Sequence, residues 1–335
     1  MHIAKNCVVC DRLTSDFSYG VSEVDCCNAC KMFFRRHVTN GTALKSCISG
    51  NQNCAQDLLA GCQLCRFHKC LVSGMTLEQL IPKLPLNDLI ESILKLDEYR
   101  YQILSNYFPI DPDLSISTVL FFKRLMYIER APLFSMDFSS WIYISAVATV
   151  EFMKKLPFVY LAKWEDQLIL IKSSFMNVAS CLAAFKAYSM NQKNITFPDG
   201  SDILPTLYEN MDPNLREIGD RIRRRLVAKF IDLKITKEEF LLVLVLLFCN
   251  PALPNLSATG QILVTAYQTF YSSAMLQYCL QKSSTNGPAR YSELLSCTSV
   301  VSKHFEDINN YFVLLQLHGI DYLVPSLVRE GINFI

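Results

Sequence analysis

Ten of the chain's 14 cysteines fall between Cys7 and Cys70, and that crowding limits what the first 75 residues can become. Cysteines at this density form either a disulfide framework or metal sites. Disulfides need an oxidising compartment, and the start Met1-His2-Ile3-Ala4-Lys5-Asn6 lacks the apolar stretch that directs secretion. The thiols are therefore expected to ligate metal in a reducing compartment. Cys7-x2-Cys10 and Cys27-x2-Cys30 make one four-thiolate set, and Cys47-x6-Cys54 with Cys62-x2-Cys65 makes a second. Such sets suit tetrahedral structural zinc. A module this small needs staples of that kind, because its own core is marginal. Two zinc ions per chain are expected; Cys26, whose spacing to Cys30 suits the first metal less well, is left as a bystander and Cys70 as a packed thiol.

A helix is predicted over Cys27–Val38. At helical spacing Cys27, Cys30 and Phe34 share one face, while Lys31 and Arg35 share another. A rigid helix with cations on one side fits the DNA major groove, where Lys and Arg bond guanine. The competing reading is a solvated basic face on a zinc-stapled protein-interaction module with weak or no DNA binding. Residues 1–75 hold eight basic and five acidic side chains, and this surplus of three is modest for a phosphate-binding domain. A zinc enzyme would need an open metal position and a nearby base. All eight proposed ligands are cysteines in closed sets and no HExxH occurs, so catalysis is not expected.

After a connector at 76–85, punctuated by Pro82 and Pro85, the pattern changes to long apolar segments at helical spacing. The first carries Leu89, Ile93, Leu96, Ile103 and Leu104, and another spans Leu114–Arg130. Trp141–Val150 is apolar on nearly every face, as in a fully buried helix. Further helices are expected over Glu165–Met190, Pro213–Asp232, Thr236–Asn250, Leu256–Gln281 and Tyr291–Gly319, with a hairpin candidate at Asn194–Leu204. The longest purely apolar run, Phe240–Cys249, is far short of the ~20 residues of a membrane span, so no membrane partner is expected. The fold class that follows is mostly α: a two-zinc domain (1–75), a hinge (76–85) and an all-α domain (86–335).

Three stretches resemble the DNA-binding domain of nuclear hormone receptors, in the divergent branch expanded in nematodes. They are Tyr19-Gly20-Val21, Cys27-Asn28-Ala29-Cys30-Lys31-Met32-Phe33-Phe34-Arg35-Arg36 and Cys65-Arg66-Phe67-His68-Lys69-Cys70-Leu71-Val72-Ser73-Gly74-Met75. The resemblance implies a nuclear, sequence-specific regulator of RNA polymerase II transcription acting on double-stranded DNA. It places Asn28, Ala29 and Met32 at the half-site-discriminating positions, Lys31 and Arg36 at base contacts, Arg35 at the DNA backbone and Arg66 at a phosphate. The sequence departs from the family in a long first finger, with 16 residues between Cys10 and Cys27, and in altered spacing at the second zinc. Ile48–Asn53, where many members dimerise, carries no charge.

Phe152–Lys172 is similar to the family's ligand-binding-domain signature, with Asp166-Gln167 and Lys172 matching directly. Phe158-Val159 lies one residue out of register. Pro325–Ile332 resembles the activation helix, matching at Leu327, Val328, Glu330 and Ile332 and departing at Gly331. The resemblance implies a three-layer helical domain with a coregulator groove, Lys154 and Lys172 facing one end of a bound helix and Glu330 the other. It also implies a cavity for a small hydrophobic ligand, assigned to Trp141, Ile144, Ala148 and Phe152, and leaves room for a homo- or heterodimer.

Overall fold

The computed structural model describes residues 5–14, 24–39, 44–76, 85–131, 136–204, 206–210, 212–319 and 325–332. Tyr19-Gly20-Val21 and most of the expected hinge lie outside them.

The zinc-rich part begins with two short antiparallel strands, β1 (Lys5–Asn6) and β2 (Leu13–Thr14). Helices α1 (Asn28–Thr39), α2 (Gln56–Leu59) and α3 (Gln63–Val72) follow. Phe34 of α1 stacks on Phe67 of α3, centroids 5.3 Å apart, and both rings are buried. With other buried side chains such as Val9, Val38, Leu59 and Leu71, this pair makes the small apolar core that the metal sites must supplement.

Helix α4 (Leu86–Asn106) buries Leu89, Ile93, Ile103 and Leu104 of the expected stripe. The stretch read as a helix over Leu114–Arg130 is instead a short α5 (Ile116–Phe121) and a strand. That strand, β4 (Tyr127–Glu129), pairs antiparallel with β3 (Tyr107–Pro109). Aromatic and β-branched residues favour pairing here, and Phe122 leaves α5 in an extended conformation. In the stretch read as a hairpin, Asn194–Leu204, a single Thr196–Asp202 bridge forms.

Helix α6 (Phe138–Met153) starts at Asp137, whose carboxylate accepts from Ser140 N–H at 2.8 Å. Next come α7 (Pro157–Tyr160), α8 (Trp164–Ser189) and α9 (Thr206–Glu209). Helix α10 (Pro213–Leu233) has Asp212 as its N-cap and Pro213 in its first turn, and it closes on a left-handed Lys234. Helices α11 (Lys237–Phe248) and α12 (Ala258–Lys282) follow. The expected Tyr291–Gly319 helix is divided at Ser296 into α13 (Gly287–Leu295) and α14 (Cys297–Leu317). The Ser296 hydroxyl donates to the Glu293 carbonyl and helps end the first of them. Helix α15 (Ser326–Ile332) is the last described element.

These elements form two compact units. One contains the described residues up to Leu89 with 155–169 and 249–274, and the other the described residues of 90–154, 170–248 and 275–335. In the first unit, Phe158 packs against Tyr267 and Tyr271, and Asp166 joins the starts of α8 and α12. Gln52, between Cys47 and Cys54, accepts from the Trp164 backbone N–H at 3.1 Å and donates to the Glu165 carboxylate at 2.7 and 2.8 Å. The α8 first turn is thus capped by a side chain from the second zinc loop. In the second unit α10 packs along α14, burying Leu215, Ile222, Ile308, Tyr311 and Leu315. Helix α8 has the length and hydropathy of a membrane span. It nevertheless carries the buried, hydrogen-bonded Asp166 and an ion pair at Lys172, as a core helix does.

Candidate functional site

Two clusters of four sulfurs form, Cys7/Cys10/Cys27/Cys30 and Cys47/Cys54/Cys62/Cys65, each with all Sγ atoms within 4.8 Å of one another. Cys10–Cys27, Cys47–Cys54 and Cys47–Cys65 are 3.7, 3.5 and 3.6 Å apart. Four thiolates around zinc at about 2.3 Å define a tetrahedron with edges of about 3.8 Å, so both clusters fit the ion. Their acid–base chemistry fits too. Burial pushes the Cys30 thiol well up, and the Cys65 thiol up to about 12. Burial opposes ionisation of Cys7 as well, but surrounding backbone N–H groups, Cys27's at 3.3 Å among them, bring it down to about 7. At Cys47 the desolvation is overcome by the Ser49 hydroxyl at 3.2 Å, and the thiol falls to about 6. Four thiolates this close repel one another unless a divalent cation sits among them. Cys26 and Cys70 are buried outside both clusters.

Helix α1 leaves the first cluster with two distinct faces. Cys30, Phe34, His37 and Val38 are buried, whereas Asn28, Ala29, Met32, Arg35 and Arg36 are exposed and Lys31 is half-buried at their edge. Met32, 50% exposed, is an apolar side chain held toward solvent among cations. Arg66 contacts the first zinc cluster. Its Nη2 donates to Cys30 Sγ at 3.2 Å and its guanidinium lies 4.4 Å over the Phe33 ring. It braces the zinc cluster and α1.

In the second unit a cavity of about 190 Å³ opens between α6, α8, α10 and α14. From α6 it is lined by Ile142, Ser145, Ala146 and Thr149. The expected Trp141, Ile144, Ala148 and Phe152 are not among its lining residues. The first three pack in a core cluster with Ile103, Leu104 and Phe197, and Phe152 is fully buried. His304, 1% exposed, also lines the cavity, with Asp307 and Arg225 as the charged groups acting on it. Burial holds its pKa down to about 4. Unfolded histidine takes up a proton near pH 6.5, so the neutral folded ring costs stability as pH falls below that value. The loss is expected to reach about 2 kcal/mol by pH 5, and His304→Leu should flatten this part of a denaturation-versus-pH profile.

Residues 5–77 match the double treble clef zinc finger of C4 type, and residues 131–318 match the ligand-binding domain of nuclear hormone receptor. The chain is 38% identical to the Caenorhabditis elegans nuclear hormone receptor family member nhr-167, across 98% of this chain and 97% of that protein. It is 36% identical to nhr-9 and 34% identical to nhr-27 of the same organism, across at least 92% of each partner. The chain belongs to the nuclear hormone receptor family. Its two domains are those of a transcription factor of nuclear receptor type, with a zinc module that takes two ions. Bound zinc supplies a rigid four-thiolate anchor at the start of α1, and the receptor's own residues do the rest.

In this receptor the signature residues act as joints. The Asp166 carboxylate, 1% exposed, accepts from the Ser257 N–H at 2.8 Å and its hydroxyl at 2.6 Å, at the start of α12. Gln167 donates to the Ala162 carbonyl at 2.9 Å. Lys172 forms an ion pair of 3.0 Å with Glu330 on α15. Lys154 does not face a groove. Its side chain is 9% exposed, bonded to Glu151 and to the Val119 and Phe122 carbonyls, each at 2.8 Å, so it ties α6 to α5. On α15, Leu327 and Val328 are buried, and the Ser326 N–H and hydroxyl donate to Asp113 at 3.1 and 2.9 Å. Ile332 belongs to the helix, and its side chain is outside the described residues.

The Gly331 departure has a packing cause. A Cβ at this position would overlap the ring of Phe175, a buried side chain that also lines the cavity. Gly331→Ala improves intrinsic helix propensity by about 1 kcal/mol, yet the overlap is expected to cost about 1–3 kcal/mol. The variant should therefore raise amide exchange across 326–332. Slower exchange there would show that propensity, not packing, controls α15.

Proposed function

We propose that this receptor is a nuclear transcription regulator that reads DNA through α1 and recruits coregulators beside α15. The observation that carries the reading is the division of α1: Cys30 and Phe34 anchor it, and Asn28, Ala29, Met32 and Arg36 stand outward with Lys31 at their edge. A zinc-pinned helix with that face fits a major groove, where Lys31 and Arg36 would bond base edges, Arg35 would meet the backbone, and Asn28, Ala29 and Met32 would set half-site preference. The Lys172–Glu330 pair, two opposite charges beside α15, supports a coregulator side there: a docked amphipathic helix would separate the two charges and place them at its opposite ends. The cavity supports binding of a small ligand next to Phe175 and Val328 of the same region. Pairing with a second receptor chain belongs to the same reading, although Ile48–Asn53 offers no charge for it.

The test is selection of random duplexes on the zinc-loaded protein, followed by titration with the selected site. Lys31→Ala and Arg36→Ala should each cost about 1–3 kcal/mol on that site and far less on unrelated duplex. Binding that is unchanged when both are replaced rejects α1 as the reader. The recovered half-sites and their spacing report whether one chain or two occupy the DNA.

A further inference from the structure

The cavity's size and wall chemistry restrict what can fill it. A protein cavity of about 150 Å³ accepts benzene. At about 190 Å³, this one suits a compound of roughly eight to ten non-hydrogen atoms, well short of a sterol or a long acyl chain. Most polar groups on its walls are already satisfied. Thr149 Oγ1 donates to the Ser145 carbonyl at 2.8 Å, and Thr196 Oγ1 to Gln192 Oε1 at 3.3 Å. The cations are satisfied as well. Arg100 donates twice to Asp97 Oδ1, at 2.7 and 2.9 Å, and Lys186 Nζ sits 4.1 Å over the Tyr101 ring.

Two lining residues are different. Among the described residues, the buried polar side-chain atoms on the cavity wall with no hydrogen-bond partner are both ring nitrogens of His304 and the hydroxyl of Tyr311. They stand seven residues apart on α14, on one face and about 10 Å apart along its axis. Buried polar groups are nearly always paired, so orphans lining a cavity mark the place of a missing partner.

We infer that the cavity takes a small neutral amphiphile, an apolar ring or short chain carrying a hydroxyl, carbonyl or amide, whose polar end bonds His304 or, two turns along α14, Tyr311. The inference rests on the reading of the helical body as ligand-binding. Burial keeps the His304 ring uncharged, so it offers one donor and one acceptor, a match for a hydroxyl. A carboxylate would meet a neutral ring and cations already bonded elsewhere, at the expense of its own hydration.

Three probes of nearly equal size decide the matter on the full-length, zinc-loaded protein: p-cresol, p-xylene and benzoate, titrated by calorimetry. p-Cresol should bind about tenfold more tightly than its isostere p-xylene, and benzoate more weakly than p-cresol. Tyr311→Phe, which removes one oxygen, combined with His304→Leu should bring the p-cresol/p-xylene ratio close to one while p-xylene still binds. The inference is overturned by equal affinities in the parent, by benzoate as the tightest ligand, or by a ratio that survives both substitutions. Where the double variant fails to fold, the parent comparison decides. p-Xylene binding without discrimination overturns the inference alone. No binding by any probe overturns the ligand-binding reading with it.

Discussion

Cys30→Ser is expected to cost the receptor one of its two zinc ions and, with it, the helix Asn28–Thr39. Cys30 is the ligand inside α1, it is fully buried, and Arg66 donates to its sulfur. A structural zinc contributes on the order of 10 kcal/mol to a module of this kind, far more than the Phe34–Phe67 contact supplies on its own. Native mass spectrometry should show one zinc in place of two, and binding to the selected duplex should vanish. The control is Cys26→Ser, one residue before the ligand Cys27. Cys26 lies outside both clusters, so that variant should keep two ions. Two ions in Cys30→Ser would remove Cys30 from the site.

Asp166→Ala is the largest effect expected in the helical part. The carboxylate meets Gly260 so closely that a Cβ there would lie 2.6 Å from Oδ2, and it holds both donors of Ser257. Removing it leaves a buried N–H and a hydroxyl unsatisfied at the start of α12, a loss of about 3 kcal/mol. For a domain of this size that lowers Tm by roughly 10 °C. Asp166→Asn keeps one acceptor oxygen and should recover part of the loss. A thermal scan with parent-like Tm in the alanine variant would assign the signature aspartate some role other than this joint.

The zinc ligands and the faces of α1 were legible because both depend on local chemistry: thiolate spacing in one case, helical period in the other. Residues whose role depends on distant neighbours were not. Lys154 reads as one end of a coregulator groove until the carbonyls of Val119 and Phe122 are found to cover it. Arg66 shows nothing in sequence of its bond to Cys30 or its place over the Phe33 ring, because both depend on how α3 packs on α1. Helix α6 is apolar nearly all round, so its period marks no face toward the cavity. The usable signal was the small and polar side chains of Ser145, Ala146 and Thr149 in an otherwise greasy helix. His304 and Tyr311 gave no warning, since a lone polar residue in an apolar stripe is more often satisfied than orphaned. Gly331 reads as a weak point in a helix, and its reason lies 156 residues away at Phe175.

The cap that Gln52 places on α8 has a thermodynamic consequence. Gln52 stands at a positive φ of 56° in the loop between two zinc ligands, Cys47 and Cys54. Its amide satisfies the first turn of the helix that carries Asp166 and Lys172. Zinc binding at the second site and order at the start of α8 are therefore linked quantities, and linkage is reciprocal. Whatever steadies that helix raises zinc affinity in the loop, and withdrawing the ion lifts protection from amides more than a hundred residues further along the chain.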